Sequence, residues 1–304
     1  MNKNTAGLII CNLKGNELLK IGSITLIKRV VITFQQANVS PIVIVSNNNI
    51  DELKINLRCF GVIFLEINDS SKSNMLNLSK IGLKYLINKS SKILLTPSIV
   101  PIFKKSTIEK LVNYDYPIVV PSYNQKGGHP ILLNKKAAYD ILLYNGTSMK
   151  NAINNLKYKK KYLEVNDEGI IHSTDDINSI VNILPSYNEQ MIHSFVKINI
   201  EREKLFFDAR SKLLFNLINE TNSVKVACKH MSISYSKAWN IIKDVENALG
   251  YTVVTRKQGG NHGGKTVLND KGLSFLKAYS EFEKSINEFS KSQFQKIFID
   301  NKVI

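Results

Sequence analysis

The chain has 304 residues, of which 43% are hydrophobic, and a formal net charge of +16. No apolar run approaches the roughly eighteen residues of a membrane span, and the N-terminus lacks the basic start and apolar stretch of a signal peptide. The three cysteines, Cys11, Cys59 and Cys228, fit no zinc spacing and suit a reducing compartment, so we expect a cytoplasmic protein without membrane contact.

The positive charge favours an anionic partner such as nucleic acid, because Lys and Arg side chains attract phosphates. It is spread along the chain, however. Residues 196–304 carry 18 basic and 11 acidic side chains, a net of +7, which leaves +9 for the remainder. Net charge alone is therefore weak support for nucleic-acid binding, and local patterns must decide.

The first half alternates short apolar runs with amphipathic stretches. Solid apolar runs separated by helices are typical of a mainly parallel sheet covered on both faces. The predicted strands lie at residues 7–11, 41–45, 62–65, 92–95 and 117–120, and the predicted helices include residues 25–37, 75–87 and 106–113.

The pattern changes after Pro185. Residues 195–200 alternate at period two and residues 204–207 form a second apolar run, which together predict a hairpin. Asp208 is a suitable N-cap for a following helix. We therefore expect two domains, residues 1–190 and 191–304.

Three helices in close succession are predicted next, at residues 209–220, 224–231 and 235–249, with Gly250 as a C-cap. A short helix, a turn of three or so residues and a longer helix form a helix-turn-helix. The N-terminal side chains of the last helix would then meet base edges in the major groove, and Lys243 would meet phosphate. The predicted inward-facing side chains are Ala238, Trp239, Ile242 and Val245, and the predicted DNA-contacting ones are Ser234, Tyr235, Ser236, Lys237, Asn240 and Lys243.

Two short strands with a glycine-rich tip follow, at residues 251–258 and 265–268, and predict a wing. Arg256, Lys257 and Lys265 at its base suit phosphate contact. Residues 225–265 hold seven basic side chains against two acidic ones. The tip also matches the P-loop pattern, from Gly259 to Thr266, but a P-loop requires a helix starting at its Lys-Thr pair, and this segment is predicted to be a strand.

Residues 213–276 resemble the DNA-binding domain of the ModE family of molybdate-responsive regulators, a LysR-type winged helix. The resemblance rests on residues 233–239, 247–250 and the double glycines of 259–264. It implies binding to double-stranded DNA as a homodimer. A final helix at residues 271–289 would serve dimer or core packing.

Residues 6–184 resemble the MobA/MocA-like nucleotidyltransferases, through residues 20–30, 74–83 and 127–133. The resemblance implies an α/β, Rossmann-like three-layer domain ahead of the winged helix-turn-helix. The candidate nucleotide- or ligand-binding residues are Asn12, Lys14, Gly15, Lys20, Gly128 and His129, although Lys14 and Lys20 also fit a solvated surface, and His129 a structural role.

The departures from that family fall on its reactive parts. Its glycine-rich phosphate loop is reduced to Gly15, its central-strand Asp is replaced by the stretch from Thr96 to Ser98, and Ser173 stands at its second Asp. Asp175 or Asp176 could substitute for the second carboxylate, but no residue in the sequence pattern replaces the first. We therefore predict no catalytic and no metal-binding residues in this chain.

The sequence predicts a transcription regulator whose degenerate nucleotidyltransferase-like domain is a sensor or scaffold, with a small-molecule effector such as a nucleotide, a molybdopterin or a related compound. One alternative is an active GTP- or CTP:molybdopterin nucleotidyltransferase that also binds DNA, in which case Mg²⁺ and nucleotide would be bound. A third interpretation makes the C-terminal module a protein–protein adaptor, against which the basic residues argue.

Overall fold

The computed structural model describes residues 5–11, 16–47, 50–57, 60–67, 74–189, 191–231, 233–257 and 265–303. The chain divides into two compact units. The first comprises Met1–Leu57 and Val62–Ile192, and the second comprises Arg58–Gly61 and His193–Ile304. We call them the N-terminal and C-terminal units.

The N-terminal unit is built on one mixed sheet. Its strands are β1 (Thr5–Cys11), β4 (Ile42–Ser46), β5 (Ile63–Glu66), β6 (Lys92–Pro97), β7 (Ile118–Tyr123), β8 (Lys126–Gly127), β9 (Ile131–Asn134) and β10 (Lys161–Glu164), while β2 (Lys20–Ile21) and β3 (Ile24–Thr25) form a separate hairpin. The order across the sheet is β10-β7-β9-β6-β1-β4-β5, with β8 paired to β7. The strands from β6 to β5 run parallel, as do β10 and β7, whereas β9 is antiparallel to both neighbours.

Helices connect these strands, and the central strands are buried along their length. The helices are α1 (Leu26–Gln36), α2 (Ile50–Leu57), α3 (Met75–Leu86), α4 (Lys105–Asn113), α5 (Lys135–Leu143), α6 (Met149–Asn154) and α7 (Ile177–Glu189). The predicted α/β class with a largely parallel sheet is confirmed. The change of pattern at Pro185 does not end a helix, because α7 includes this proline and continues through a buried Tyr187.

The C-terminal unit is mainly helical. A short hairpin, β11 (Ile200–Glu201) and β12 (Leu205–Phe207), precedes α8 (Ala209–Thr221), α9 (Val224–Met231) and α10 (Tyr235–Leu249). A second antiparallel pair, β13 (Val254–Lys257) and β14 (Lys265–Leu268), leads into the long helix α11 (Asp270–Phe294). The predicted strand at residues 195–200 was too long, since only its last residue pairs and Phe195 is about half exposed.

Local capping explains where these helices begin and end. The Asp208 carboxylate accepts hydrogen bonds from the backbone N–H groups of Arg210 and Ser211, which fixes the first turn of α8. Gly250 adopts φ +76°, a left-handed conformation that ends α10. The aromatic ring of Phe207 packs edge-on against Phe215, Phe275 and Tyr279, so α8 and α11 share one core with the hairpin.

None of the helices in the described part of the chain is both long and apolar enough to cross a membrane.

Candidate functional site

The first turns of α10 present a polar, exposed face. The Ser234 hydroxyl accepts a hydrogen bond from the Lys237 backbone N–H at 3.2 Å and so caps the helix. Ala238, Ile242 and Val245 are buried on the opposite face. All six side chains predicted to contact DNA from this helix are exposed: Ser234, Tyr235, Ser236, Lys237, Asn240 and Lys243.

Trp239 is placed differently from its prediction. It was expected to pack inward with Ala238, but it is only partly buried. The guanidinium carbon of Arg256 lies 3.8 Å from the centroid of the Trp239 ring, and Tyr235 meets the same ring edge-on at 6.0 Å between centroids. A cation–π contact of this kind holds the β13 guanidinium beside the start of α10. The sequence missed it because a tryptophan at helical spacing is usually a core residue.

The strand pair β13–β14 carries the other predicted basic residues. Arg256 is opposite Thr266 and Lys257 is opposite Lys265 in the antiparallel register. Lys265 is exposed, whereas the Lys257 side chain and the glycine-rich tip at residues 258–264 lie outside the described residues. Because Lys265 and Thr266 belong to a strand and the next helix begins at Asp270, the helix that a P-loop requires does not start at this Lys-Thr pair.

The two acidic residues among these basic ones are both engaged. The Asp244 carboxylate forms an ion pair with Lys204 at 2.8 Å. The Glu246 carboxylate accepts a hydrogen bond from the Val253 backbone N–H at 2.8 Å and thereby anchors the entry to β13. The carboxylates of both acidic residues therefore have partners of their own, and the exposed cations Lys237 and Lys243 lie on the same helix.

A second candidate site lies in the N-terminal unit, where β1 has β4 on one side and β6 on the other. The chain passes from β1 to β4 on one side and later returns to β6 on the other side, so the strand order reverses at β1. Open α/β sheets bind ligands at such a switch point, beside the carboxyl ends of the strands. Asn12, Lys14 and Gly15 follow β1 but lie outside the described residues. Lys20 is exposed on the β2–β3 hairpin.

A carboxylate lies next to Ser98 at the end of β6, near the position where the related family has its central-strand Asp. The Ser98 hydroxyl, just beyond β6, donates a hydrogen bond to Glu17 Oε1 at 3.0 Å. Burial, and then the charge of Glu17, raise the pKa of the Cys11 thiol, so this cysteine stays protonated. The contact of Glu17 with Ser98 could not be found from the sequence, because the two residues are 81 positions apart.

Gly128 and His129 hold a neighbouring turn. A Cβ at Gly128 would lie 2.3 Å from the Ile170 carbonyl oxygen, so only glycine fits here. The His129 backbone N–H donates to that same carbonyl at 2.9 Å. Burial lowers the pKa of the His129 imidazole to about 4, against a smaller opposing effect of a hydrogen bond with the Leu95 backbone. These contacts give both residues a structural role.

The neutral His129 makes stability depend on pH. The unfolded histidine titrates near 6.5 and the folded one near 4, so between these values the unfolded state binds more protons and stability falls as the pH falls. We expect the wild-type protein to lose on the order of 2 kcal/mol between pH 6.5 and 4 through this residue. Urea unfolding of His129→Gln across this range should show a shallower loss, with His172→Gln as the matched histidine control. A pH dependence equal to that of the wild type would refute this assignment.

Asp167 was missed by sequence reasoning. It is about 1% exposed, and its carboxylate accepts hydrogen bonds from the Lys104 backbone N–H at 2.7 Å, the Thr107 hydroxyl at 2.6 Å and the Tyr187 hydroxyl at 2.5 Å. It therefore ties α4 to α7 and has no free oxygen edge for a ligand. No motif marks it, because all three donors are distant in sequence.

The described carboxylates do not assemble a metal site. Asp175 accepts a hydrogen bond from Ser173, and Asp176 caps the start of α7 through the Ser179 backbone N–H. Within the described ranges there is no group of three or more His, Cys, Asp or Glu residues that could hold a metal ion.

The sheet order and the crevice between β1 and β6 agree with the comparison to known families. Residues 16–160 match the MobA-like NTP transferase domain. This domain accounts for just under half of the chain. Two solved structures share its fold: Rv0371c from Mycobacterium tuberculosis, at 12% identity and TM-score 0.51 over 60% of this chain and 100% of that one, and a nucleotidyl transferase from Methanothermobacter, at 11% identity and TM-score 0.53 over 61% and 98%. At these identities the likeness to the two structures is a likeness of fold.

Two curated proteins of a different kind match part of this chain. The molybdenum-pterin-binding protein MopB of Rhodobacter capsulatus is 32% identical over 99 residues, which cover 29% of this chain and 37% of that protein. The DNA-binding transcriptional dual regulator ModE of Escherichia coli is 32% identical over 78 residues, covering 26% of this chain and 30% of that protein. The chain thus combines a MobA-like domain with partial similarity to molybdenum-related regulators, and spans about a third of the length of those relatives.

Proposed function

We propose that this protein is a DNA-binding transcriptional regulator linked to molybdenum or molybdopterin metabolism. The observation that carries the proposal is the exposed polar start of α10 with the Arg256 guanidinium stacked beside it on Trp239. In this proposal residues 191–304 form a winged helix-turn-helix, and residues 1–190 form its sensor or scaffold domain.

The element order supports a groove-binding role for α10. Helix α9 and helix α10 are separated by three residues, and the small Ala227 is fully buried, which allows the helices to cross closely. In helix-turn-helix proteins the second helix lies in the major groove with its N-terminal residues at base edges. Here that end offers Ser236 and Asn240 as hydrogen-bonding side chains and Lys237 as a cation.

The β13–β14 pair would add contacts to the DNA backbone. Arg256 and Lys265 are exposed on it, Arg256 on β13 and Lys265 on β14. Because a planar guanidinium on a ring is restrained, Arg256 would meet a phosphate with little further loss of side-chain freedom. We assign Lys243, Lys257 and Lys265 to the same role, as sequence-independent contacts that fix position on the duplex.

We further propose a homodimer that places two α10 helices on two half-sites. Helix α11 offers a surface for it: Phe282 and Phe289 are 52% and 63% exposed and, seven residues apart, lie on one face. The double substitution Phe282→Ser and Phe289→Ser should give a monomer by light scattering. Lys284→Ser on the same helix is the control. An unchanged dimer would place the interface elsewhere.

The MobA-like domain would then bind a small-molecule effector, such as a nucleotide, a molybdopterin or a related compound. The molybdenum link rests on the names of the partial relatives, MopB and ModE. Nucleotide contacts from Asn12, Lys14, Gly15, Lys20, Gly128 and His129 belong to this part of the proposal.

A second candidate function is an active GTP- or CTP:molybdopterin nucleotidyltransferase that also binds DNA. The carboxylate of Glu17 at Ser98 favours it, since it returns an acidic group to the crevice between β1 and β6. Calorimetric titration of GTP and CTP into the full chain, with and without Mg²⁺, separates the two. Tight binding that requires Mg²⁺ would support the enzyme, and metal-independent or absent binding would support the regulator.

DNA binding itself is tested by fluorescence anisotropy with a labelled duplex. A protein that neutralises phosphates loses affinity linearly in a log–log plot against salt, with a slope of about −0.9 for each phosphate it neutralises. Four to eight neutralised phosphates per dimer predict an affinity decrease of roughly 10²- to 10⁴-fold between 50 and 200 mM salt. No duplex binding at low salt would reject the proposal.

A further inference from the structure

Helix α1 carries an arginine that is buried without a carboxylate partner. Arg29 is about 4% exposed. Its Nη1 donates to Asn188 Oδ1 at 2.8 Å and to Met191 Sδ at 3.0 Å, and its Nη2 donates to the Ile21 carbonyl oxygen at 2.8 Å. All of these acceptors are neutral, so the positive charge is not compensated by them.

The guanidinium keeps unused donors. Three of its five N–H groups are engaged, and Nε is buried with no hydrogen-bond partner among the described residues. The remaining donors are therefore Nε–H and one N–H of Nη2, two nitrogens that share an edge of the plane. Burial lowers the pKa of Arg29, with no offsetting acid, yet an arginine this basic keeps its proton at neutral pH. A buried positive charge without a negative partner is strongly stabilised when an anion binds beside it.

Arg29 lines a small cleft in the N-terminal unit. Lys104 and Lys105 also line it, whereas none of its lining residues is acidic. Lys105 forms an ion pair with Glu109 at 3.2 Å with both side chains about half exposed, an arrangement that a stronger anion can displace. The nearby Asp167 is already engaged by Lys104 N–H, Thr107 and Tyr187, as described above.

We propose that this cleft binds the phosphoryl group of a small metabolite, with the Arg29 guanidinium as its principal donor and Lys104 and Lys105, which also line the cleft, as further cations. A guanidinium can donate to two oxygens of one group side by side, and Arg with two Lys matches a dianion better than a monocarboxylate. Its lining residues come from α1, the β6–α4 connection and the end of α7, so it is a different site from the crevice between β1 and β6. Only its role as an effector site rests on the proposed function.

The test is thermal unfolding of the full chain, followed by far-UV circular dichroism, in inorganic phosphate against chloride of equal ionic strength. A ligand that binds only the folded state raises the midpoint, and at roughly 100 times its dissociation constant we expect about 4 °C or more for a unit of this size. Acetate at the same concentration distinguishes a phosphoryl site from a general carboxylate site, and should give little shift.

Substitutions in the cleft test whether its residues cause the shift of the unfolding midpoint in phosphate. Arg29→Gln should abolish the phosphate shift, and, in case this variant does not fold, Lys104→Gln and Lys105→Gln should each weaken the apparent affinity by about 3- to 10-fold. Lys110→Gln, exposed on the same helix and outside the cleft, is the matched control, and Lys237→Ala with Arg256→Ala controls for phosphate held by the proposed DNA-binding face. No shift in the wild type, an equal shift in acetate, or an unchanged shift in the cleft variants would overturn the proposal, whether or not the protein binds DNA.

Discussion

Replacing Lys237 and Arg256 together with alanine should weaken duplex DNA binding by at least about 100-fold and leave the fold intact. Both side chains are exposed, one at the start of α10 and one on β13, so neither substitution removes core packing. The weaker binding follows from the removal of two cations from each protomer. The slope of log affinity against log salt should become shallower by roughly 1 for each phosphate that the variant no longer neutralises. Anisotropy titrations at several salt concentrations measure both quantities.

The control for this prediction is Lys277→Ala, which removes a highly exposed lysine from α11. It lowers the net charge by one without touching α10 or β13, and its DNA affinity should stay within about 3-fold of the wild type. If the double variant behaved like this control, binding would reflect overall charge, and the assignment of α10 and β13 to the interface would be wrong.

Replacing Asp167 with alanine should destabilise the N-terminal unit by about 3–5 kcal/mol. The substitution leaves the Lys104 N–H, the Thr107 hydroxyl and the Tyr187 hydroxyl without their shared acceptor. Urea unfolding followed by circular dichroism reports both units, so the N-terminal transition is the part of it that the tryptophan signal does not share. The single tryptophan, Trp239, lies in the C-terminal unit, and its fluorescence follows that unit separately.

Asp167→Asn is the matched variant for this prediction. It keeps one acceptor oxygen and the shape of the side chain, so its cost should be smaller, on the order of 1–2 kcal/mol. A circular dichroism midpoint unchanged in Asp167→Ala would show that these hydrogen bonds contribute little, and that α4 and α7 are held by apolar contacts alone.

Helices with strong local signals were predictable to within a residue or two. The bounds of α9 and α10 agree with prediction because Ser234 and Gly250 cap α10 through contacts within one turn. The predicted end of α11 at residue 289 was too early, since no glycine or proline follows before residue 294. Helix α7 continues through Pro185, as tertiary packing of Leu184 and Tyr187 outweighs the missing backbone hydrogen bond.

Strand direction and strand order were harder to predict from the sequence. The apolar runs of β1, β4, β5, β6 and β7 were predicted, but the insertion of β9 between β6 and β7, antiparallel to both, was not. Periodicity reports burial and cannot report which neighbour a strand pairs with. Strand β10 is largely exposed, so it carried no apolar signal at all.

The candidate sites likewise contain parts that the sequence predicts and parts that it does not. The exposed face of α10 follows from helical spacing, and its six polar residues could be named in advance. The contact of Arg256 with Trp239, the hydrogen bond of Ser98 to Glu17 and the three donors to Asp167 each join residues that are far apart in sequence. Such contacts depend on the completed fold, and a single sequence contains no pattern that reveals them.

Under the proposed function, this protein reads specific DNA sequences. The most direct test of this function is repeated selection of the full-length chain on a library of random duplexes at about 150 mM salt, followed by sequencing. We expect enrichment of a two-fold symmetric sequence whose half-sites lie about one helical turn, or 10 base pairs, apart. Enrichment of no sequence by the folded protein would contradict it.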